Sequence, residues 1–309
     1  MTGSDVAALR IPVNGVELAV QVAGSGPPIV LVHGSLDDHC AWERIVPRLA
    51  ESHLVVTYDR RGHGCSSCPP GQGRISEDVE DLAGVLRVLE LDAPLVVGHS
   101  YGSSTAMLLG AHHPGLTGGL LMHEPPLFTL LHDDASTRHL AEDASEHLRR
   151  AASLIAAGAV AEGVRHFVDH AAFGPGAWDT LFTSEIRRTC LANAGTWLDQ
   201  SRDPTRLTVR PELLADYAHP LVVSRGSTSL PAYGLIVELV VAALPRSRQR
   251  VVRGAGHAPH ISHPVDFAEL VLVCAQEMAD ERSHRAPLDG SDEELAAQDA
   301  DGPALPFRD

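Results

Sequence analysis

The sequence predicts an α/β protein: a mostly parallel sheet with helices on both faces, interrupted by one long helical insert. Three observations predict it. Short β-rich apolar runs alternate with amphipathic helical patterns from residue 29 to 122 and again from 221 to about 278, the rhythm of β-α-β crossovers. Residues 126–217, between these stretches, show helical patterns and no clear strand. A Gly-x-Ser-x-Gly, Gly98-His99-Ser100-Tyr101-Gly102, ends one predicted strand and opens one predicted helix.

Taken in order, two alternating runs flank Asn14-Gly15, the strongest short hairpin signal. IVLVHG (29–34) is a continuous apolar run, as expected of a strand covered on both faces. A helical stripe follows at Trp42, Ile45, Val46 and Leu49, then a strand from His53 to Tyr58. Ser76 is read as the start of a helix with Glu77 and Asp78 in its first turn, where the dipole favours anions. Pro94–Gly98 is a strand, Tyr101 to His112 a helix stopped by Pro114, and Gly118–Met122 the sixth strand. After the insert come a strand at Leu221–Ser224, a helix near Leu235–Leu244, a strand at Arg250–Arg253 and a last helix from about Val265 to Met278. This divides the chain into a core (1–125 and 218–280), a helical lid (126–217) and an acidic tail (281–309). The tail carries eight acids and three arginines and is expected to be disordered. The lid should cover the carboxyl edge of the sheet, where open α/β sheets bind ligands.

Composition narrows the function. Of 309 residues, 44% are hydrophobic, and the net charge is −16. That charge argues against nucleic acid, which needs clustered cations. No apolar run approaches a membrane span. The first fifteen residues lack a basic region followed by an apolar stretch, so the expected compartment is the cytoplasm. The chain has no lysine, which removes Schiff-base chemistry. Five cysteines include Cys65-Ser-Ser-Cys68, but Pro69-Pro70-Gly71 follows where a redox motif would open a helix. A zinc site would need a second ligand pair at matching spacing, and none is evident, so no metal site is predicted.

Three motifs carry chemistry. The Gly-x-Ser-x-Gly turn aims the Ser100 hydroxyl out of the sheet edge and brings the Tyr101 N–H, at a helix N-terminus, to the same spot. In LVHGSLDDHCAW (31–42), Ser35 is placed to supply a second oxyanion N–H, with His33 a structural residue of the loop. In VVRGAGHAPHISHP (251–264), His257 follows the last strand in a Gly-rich loop and is the candidate general base.

With LVHGS, YDRRGHGCS (58–66), VVGHSYG, LLMHEPP and GAGHAPH in this order and spacing, the chain over about residues 8–280 resembles the α/β-hydrolase fold superfamily. The likeness is to its cofactor-independent, lidded members of the esterase, haloperoxidase-like and C–C hydrolase kind. The resemblance implies a Ser–acid–His triad, with no metal and no organic cofactor. The dehalogenase branch is disfavoured, because it uses Asp where Ser100 stands.

One position departs from the pattern. The family's acid usually sits in the loop after the strand ending at Ser224, and here that loop is RGSTSLP: no carboxylate occurs between Asp216 and Glu238. Three replacements are open. Glu124, at the tip of the neighbouring strand in HEPP, could reach His257. A Ser100–His257 dyad could be oriented by Ser227, Thr228 or water. The lid could lend Asp199, Asp203 or Asp216. Asp59 is disfavoured because its strand should lie on the far side of the nucleophile.

The leading expectation is a serine hydrolase acting on an ester, lactone, thioester or activated C–C bond of a small apolar molecule, with Trp42, Phe128, Trp178 and Trp197 walling the pocket. The alternatives are a non-hydrolytic tailoring enzyme of secondary metabolism (cyclase, acyltransferase or C–C bond-forming) that reuses a weakened triad, and a ligand-binding pseudoenzyme. The expected partner is a small molecule, not nucleic acid or membrane; oligomeric state is open, with a homodimer one candidate.

Overall fold

The structure, a computed structural model, describes residues 6–69, 71 and 73–285. The first strands, β1 (Ala7–Val13) and β2 (Val16–Ala23), form the antiparallel hairpin. Asn14 and Gly15 both take positive φ (44° and 77°), as a two-residue primed turn requires. Then follow β3 (Pro28–Val32), the short helix α1 (Val46–Leu49), β4 (Leu54–Tyr58), α2 (Ile75–Val88), β5 (Leu95–His99), α3 (Tyr101–His112) and β6 (Gly119–His123).

A helical insert comes next: α4 (Arg138–Ala156), α5 (Val160–His166), a π-helical turn at Phe167–Ala172, α6 (Ala177–Thr180), α7 (Ser184–Ala192), α8 (Ala194–Ser201) and a 3-10 turn at Thr205–Thr208. The core resumes with β7 (Leu221–Gly226), α9 (Pro231–Ala243), β8 (Arg248–Val252), α10 (Pro259–Ser262) and α11 (Pro264–Arg285). The eight strands form one sheet in the order β1-β2-β4-β3-β5-β6-β7-β8, parallel from β4 to β8, with β2 antiparallel to both its neighbours.

Alternation along the strands explains why the runs are continuously apolar. In β3, Val30 and Val32 pack on the face covered by α2, α3 and α9, while Ile29 and Leu31 pack on the face covered by α1 and α11. In β5, Val96 joins the first face, and Leu95 and Val97 the second. Both faces are buried, so every strand position favours a branched apolar side chain. A third apolar cluster, including Phe167, Trp178, Phe182 and Trp197, belongs to the insert and closes on Leu36 of the core.

Several elements differ from the sequence reading. The predicted helix through Trp42 and Leu49 is two separate turns, a 3-10 turn at His39–Trp42 capped by Asp38 and then α1. Helix α2 starts at Ile75, not Ser76. Glu77 accepts from the Arg74 N–H at 2.9 Å, and Asp203 of the insert accepts from the Ile75 N–H at 2.8 Å, so the terminus is fixed partly by a residue far along the chain. The last helix runs on to Arg285, held by Arg248 bonding Glu277 and Glu281 at 3.0 and 2.7 Å, so residues 281–285 are helical. The rest of the predicted tail lies outside the described residues.

The junction of β5 and α3 is the tightest point. A Cβ on Gly102 would lie 2.2 Å from the Val32 carbonyl oxygen, and one on Gly98 would lie 2.4 Å from that of Gly102. Because the obstructing atoms are backbone, Gly98→Ala should destabilise the fold by about 2–3 kcal/mol in urea unfolding. A loss below about 0.5 kcal/mol would contradict this packing.

Candidate active site

Ser100 occupies the turn between β5 and α3 with φ 52° and ψ −120°, a conformation that side-chain-bearing residues rarely adopt. Its N–H donates to the His123 carbonyl at 2.9 Å, and flanking glycines allow the crowding. The side chain is thereby lifted to the floor of a tight cavity of about 50 Å³ between core and insert. Ser35, Tyr101, Phe128 and Trp197 line this cavity as well. Among the described residues, neither the Ser35 nor the Tyr101 backbone N–H is used in a hydrogen bond.

Glu124 follows β6 directly. Its own φ is positive (48°), and its N–H donates to the Ser224 carbonyl at 3.0 Å. This turns the carboxylate across β7, which lies beside β6 on the side away from β5. The His257 Nδ1–H donates to Glu124 Oε2 at 2.6 Å, and the Gly226 N–H donates to Oε1 at 2.7 Å. Ser229 Oγ–H donates to Oε1 too. The loop that lacks a carboxylate therefore supplies two donors to one that arrives from the next strand.

Burial on its own would push the Glu124 carboxyl up. The hydrogen bond from His257, the nearby His123 and the Ser229 bond outweigh it and hold the group at about 2. An ionised Glu124 only accepts, which fixes His257 as the Nδ1–H tautomer and leaves Nε2 as the acceptor.

His257 is placed by further contacts. Its carbonyl accepts from His99 Nε2–H at 2.8 Å, so the residue before Ser100 grips the His257 backbone. The imidazole stacks on Tyr233 at 4.2 Å and meets Phe173 edge-on at 5.0 Å. Among the described residues no hydrogen bond joins Ser100 Oγ to His257.

A second buried network braces the other side. Arg60 pairs with Asp78 at 3.2 Å, donates to the His33 and Gly34 carbonyls at 3.2 and 2.9 Å, and lies 4.5 Å from the Tyr101 ring centroid. Tyr101 Oη–H donates to Asp78 at 3.0 Å. Arg60 thus holds the 33–35 loop against the start of α3. In YDRRGHGCS, the adjacent arginines beside a buried strand are the one sequence signal of this network. His33 is neutral, its pKa held well below the usual value first by burial, and its Nε2 accepts from the Arg60 N–H at 3.0 Å.

Other candidates fall elsewhere. Phe128 and Trp197 line the cavity, but Trp42 and Trp178 do not. Trp42 is fully buried beneath the sheet, 4.8 Å from the His260 ring and stacked towards Phe267, because its 3-10 turn faces α11. Trp178 packs on Phe182 inside the insert, with Arg187 5.5 Å over its ring. Asp203 caps α2, Asp199 pairs with Arg202 at 3.1 Å, and Asp59 binds His39 at 2.6 Å. Ser227 Oγ accepts from the Gly254 N–H at 2.8 Å, and Thr228 donates to the Gly254 carbonyl at 3.4 Å.

Two groups could hold a metal ion by proximity of ligand atoms, Asp37–His99–His260 and Asp38–His39–Cys40. In the second, His39 is already committed to Asp59. No helix among the described residues is long and apolar enough to cross a membrane.

A model of the alpha/beta hydrolase family matches residues 29–270. The chain belongs to that family. Curated relatives match over part of the chain, two of them as follows. An uncharacterized protein of Mycobacterium tuberculosis is 33% identical over 110 residues, covering 36% of this chain and 32% of its own length. The 2-(acetamidomethylene)succinate hydrolase of Mesorhizobium japonicum is 30% identical over 107 residues, covering 35% and 38%. The matched part of the chain thus spans about a third of the length of these relatives. Among solved structures, a thermophilic esterase from Thermogutta terrifontis superposes with a TM-score of 0.71 at 21% identity, over 88% of this chain and 99% of that one. This α/β hydrolase therefore shares the fold across nearly its whole described length.

The carboxylate geometry fixes a pH dependence. A group whose pKa is lower when folded binds fewer protons than in the unfolded chain, so its contribution is present above the unfolded value and lost as pH falls. Stability conferred by Glu124 should fall between pH of about 4.5 and about 2. Denaturant unfolding across that window should show a steeper decline for the wild type than for Glu124→Gln; equal slopes would contradict the depressed value.

Proposed function

We propose that this α/β hydrolase is a serine hydrolase cleaving an ester, lactone, thioester or activated C–C bond of a small molecule. The observation that carries this reading is the 2.6 Å bond from His257 Nδ1 to Glu124, which orients a base towards the strained serine turn. His257 Nε2 takes the Ser100 proton as Oγ attacks the carbonyl carbon. The Ser35 and Tyr101 N–H groups receive the developing oxyanion. On collapse, His257 returns the proton to the leaving group, then activates water to release the acyl group. Glu124 stays ionised throughout and stabilises the imidazolium.

Relatives named as hydrolases, one of them the Mesorhizobium enzyme, support hydrolysis as the reaction class. The tailoring alternative draws on a missing acid, and the carboxylate bonded to His257 supports the hydrolase reading over it. Thr228 and Ser227 hydrogen-bond to Gly254, so the dyad they would have oriented has no supporting contact.

A fluorophosphonate probe should label Ser100, with the adduct located by mass spectrometry, and Ser100→Ala should remove it. Labelling of another serine, unchanged in that variant, would overturn the assignment. Glu124→Gln should lower kcat on an aryl ester by about 10³–10⁴-fold, the scale of losing a triad acid. Near-wild-type turnover would remove Glu124 from the role.

A further inference from the structure

The cavity above Ser100 contains a cation that the proposed steps do not use. Arg206, in the 3-10 turn Thr205–Thr208, lines it, and no other charged side chain does among the described residues. Its Nε is buried and has no hydrogen-bond partner. Its side chain makes no hydrogen bond or ion pair among the described residues. Arg206 as a whole is half-buried. The fully buried arginines near the site are paired: Arg60 with Asp78 at 3.2 Å, and Arg61 with Asp81 at 2.7 Å. A guanidinium partly withdrawn from water, with its Nε unpaired, favours an anion brought to it.

Nearby Asp203 is not that partner. Its Oδ2 accepts from the Ile75 N–H at 2.8 Å, and its Oδ1 accepts from the Thr205 N–H and hydroxyl at 2.9 and 2.6 Å. These bonds instead fix the turn that carries Arg206. Burial accordingly pushes the Arg206 pKa below its usual value, with Tyr101 and Asp203 offsetting only part.

We propose that Arg206 is an anion subsite and that the substrate carries a carboxylate, which binds the guanidinium while its scissile carbonyl lies at Ser100. The position of the scissile bond rests on the serine-hydrolase reading above. One guanidinium matches the single charge of a carboxylate and binds it bidentately. A dianionic phosphate would face a site with one cation. The apolar walls, Phe128, Leu148, Phe167 and Trp197, suit the short hydrocarbon joining the two ends. The protein's net charge of −16 repels anions at large, so this local cation selects them at the site.

Two 4-nitrophenyl esters of matched shape test this: the anionic hemiglutarate and the neutral 5-methylhexanoate. The wild type should favour the hemiglutarate in kcat/KM. Arg206→Met should lower that preference by about 100-fold, with Arg206→Lys in between. The ratio is internal to each variant, so loss of folded protein cancels. An unchanged ratio overturns the proposal.

Binding separates the two readings. By calorimetry, Ser100→Ala protein should bind the hemiglutarate ester, and adding Arg206→Met should weaken binding about 30-fold. Arginine-dependent binding without turnover of either ester would keep the subsite and overturn the hydrolase reading. Turnover with neither ratio nor binding responding to Arg206 would do the reverse.

Discussion

The active end of the sheet depends on one buried carboxylate. Glu124 is fully removed from solvent, and a charge in that position is tolerated only when its oxygens are filled. They are filled from two directions: the Gly226 N–H and Ser229 hydroxyl after β7, and the His257 ring after β8. Its own backbone is tied to Ser224. Three chain segments distant in sequence are therefore fixed by the need to satisfy one group. The same bonds lock the tautomer of His257, so satisfying the charge and orienting the imidazole are a single structural solution.

Ser100 stands between this network and a second one. On the other flank, Asp78 collects Arg60, Tyr101 and Gln200, and Arg60 reaches on to the carbonyls of the 33–34 loop. The two networks hold opposite sides of the serine turn, which lets a strained backbone persist there. Each buried charge in them has a counter-charge or a full set of donors. Arg206, half-buried in the same cavity, has no hydrogen-bonded or ion-paired partner among the described residues.

Much of the fold was legible because its signals are local. Continuous apolar runs, the Asn14-Gly15 turn and the Gly-x-Ser-x-Gly junction each follow from backbone sterics or burial on both faces. Glu124 was legible as a candidate because parallel strand order puts β6 between β5 and β7. What the sequence hid was direction. Residue type alone suggests Trp42 and Trp178 as pocket walls, but their place on short turns sends one ring beneath the sheet and the other into the insert. The start of α2 was misread because its first amide is capped by Asp203, 128 positions further on. The lack of an ion pair at Arg206 exists only once the chain has folded.

The Asp203 cap has a consequence for movement. One carboxylate serves both the first amide of α2 in the core and the turn that carries Arg206 in the insert. If that turn swings away from the core, Asp203 leaves with it and the Ile75 amide loses its acceptor. Opening of the cavity on this side and fraying of α2 are then one event. Hydrogen exchange at the single Ile75 amide would then report such a movement.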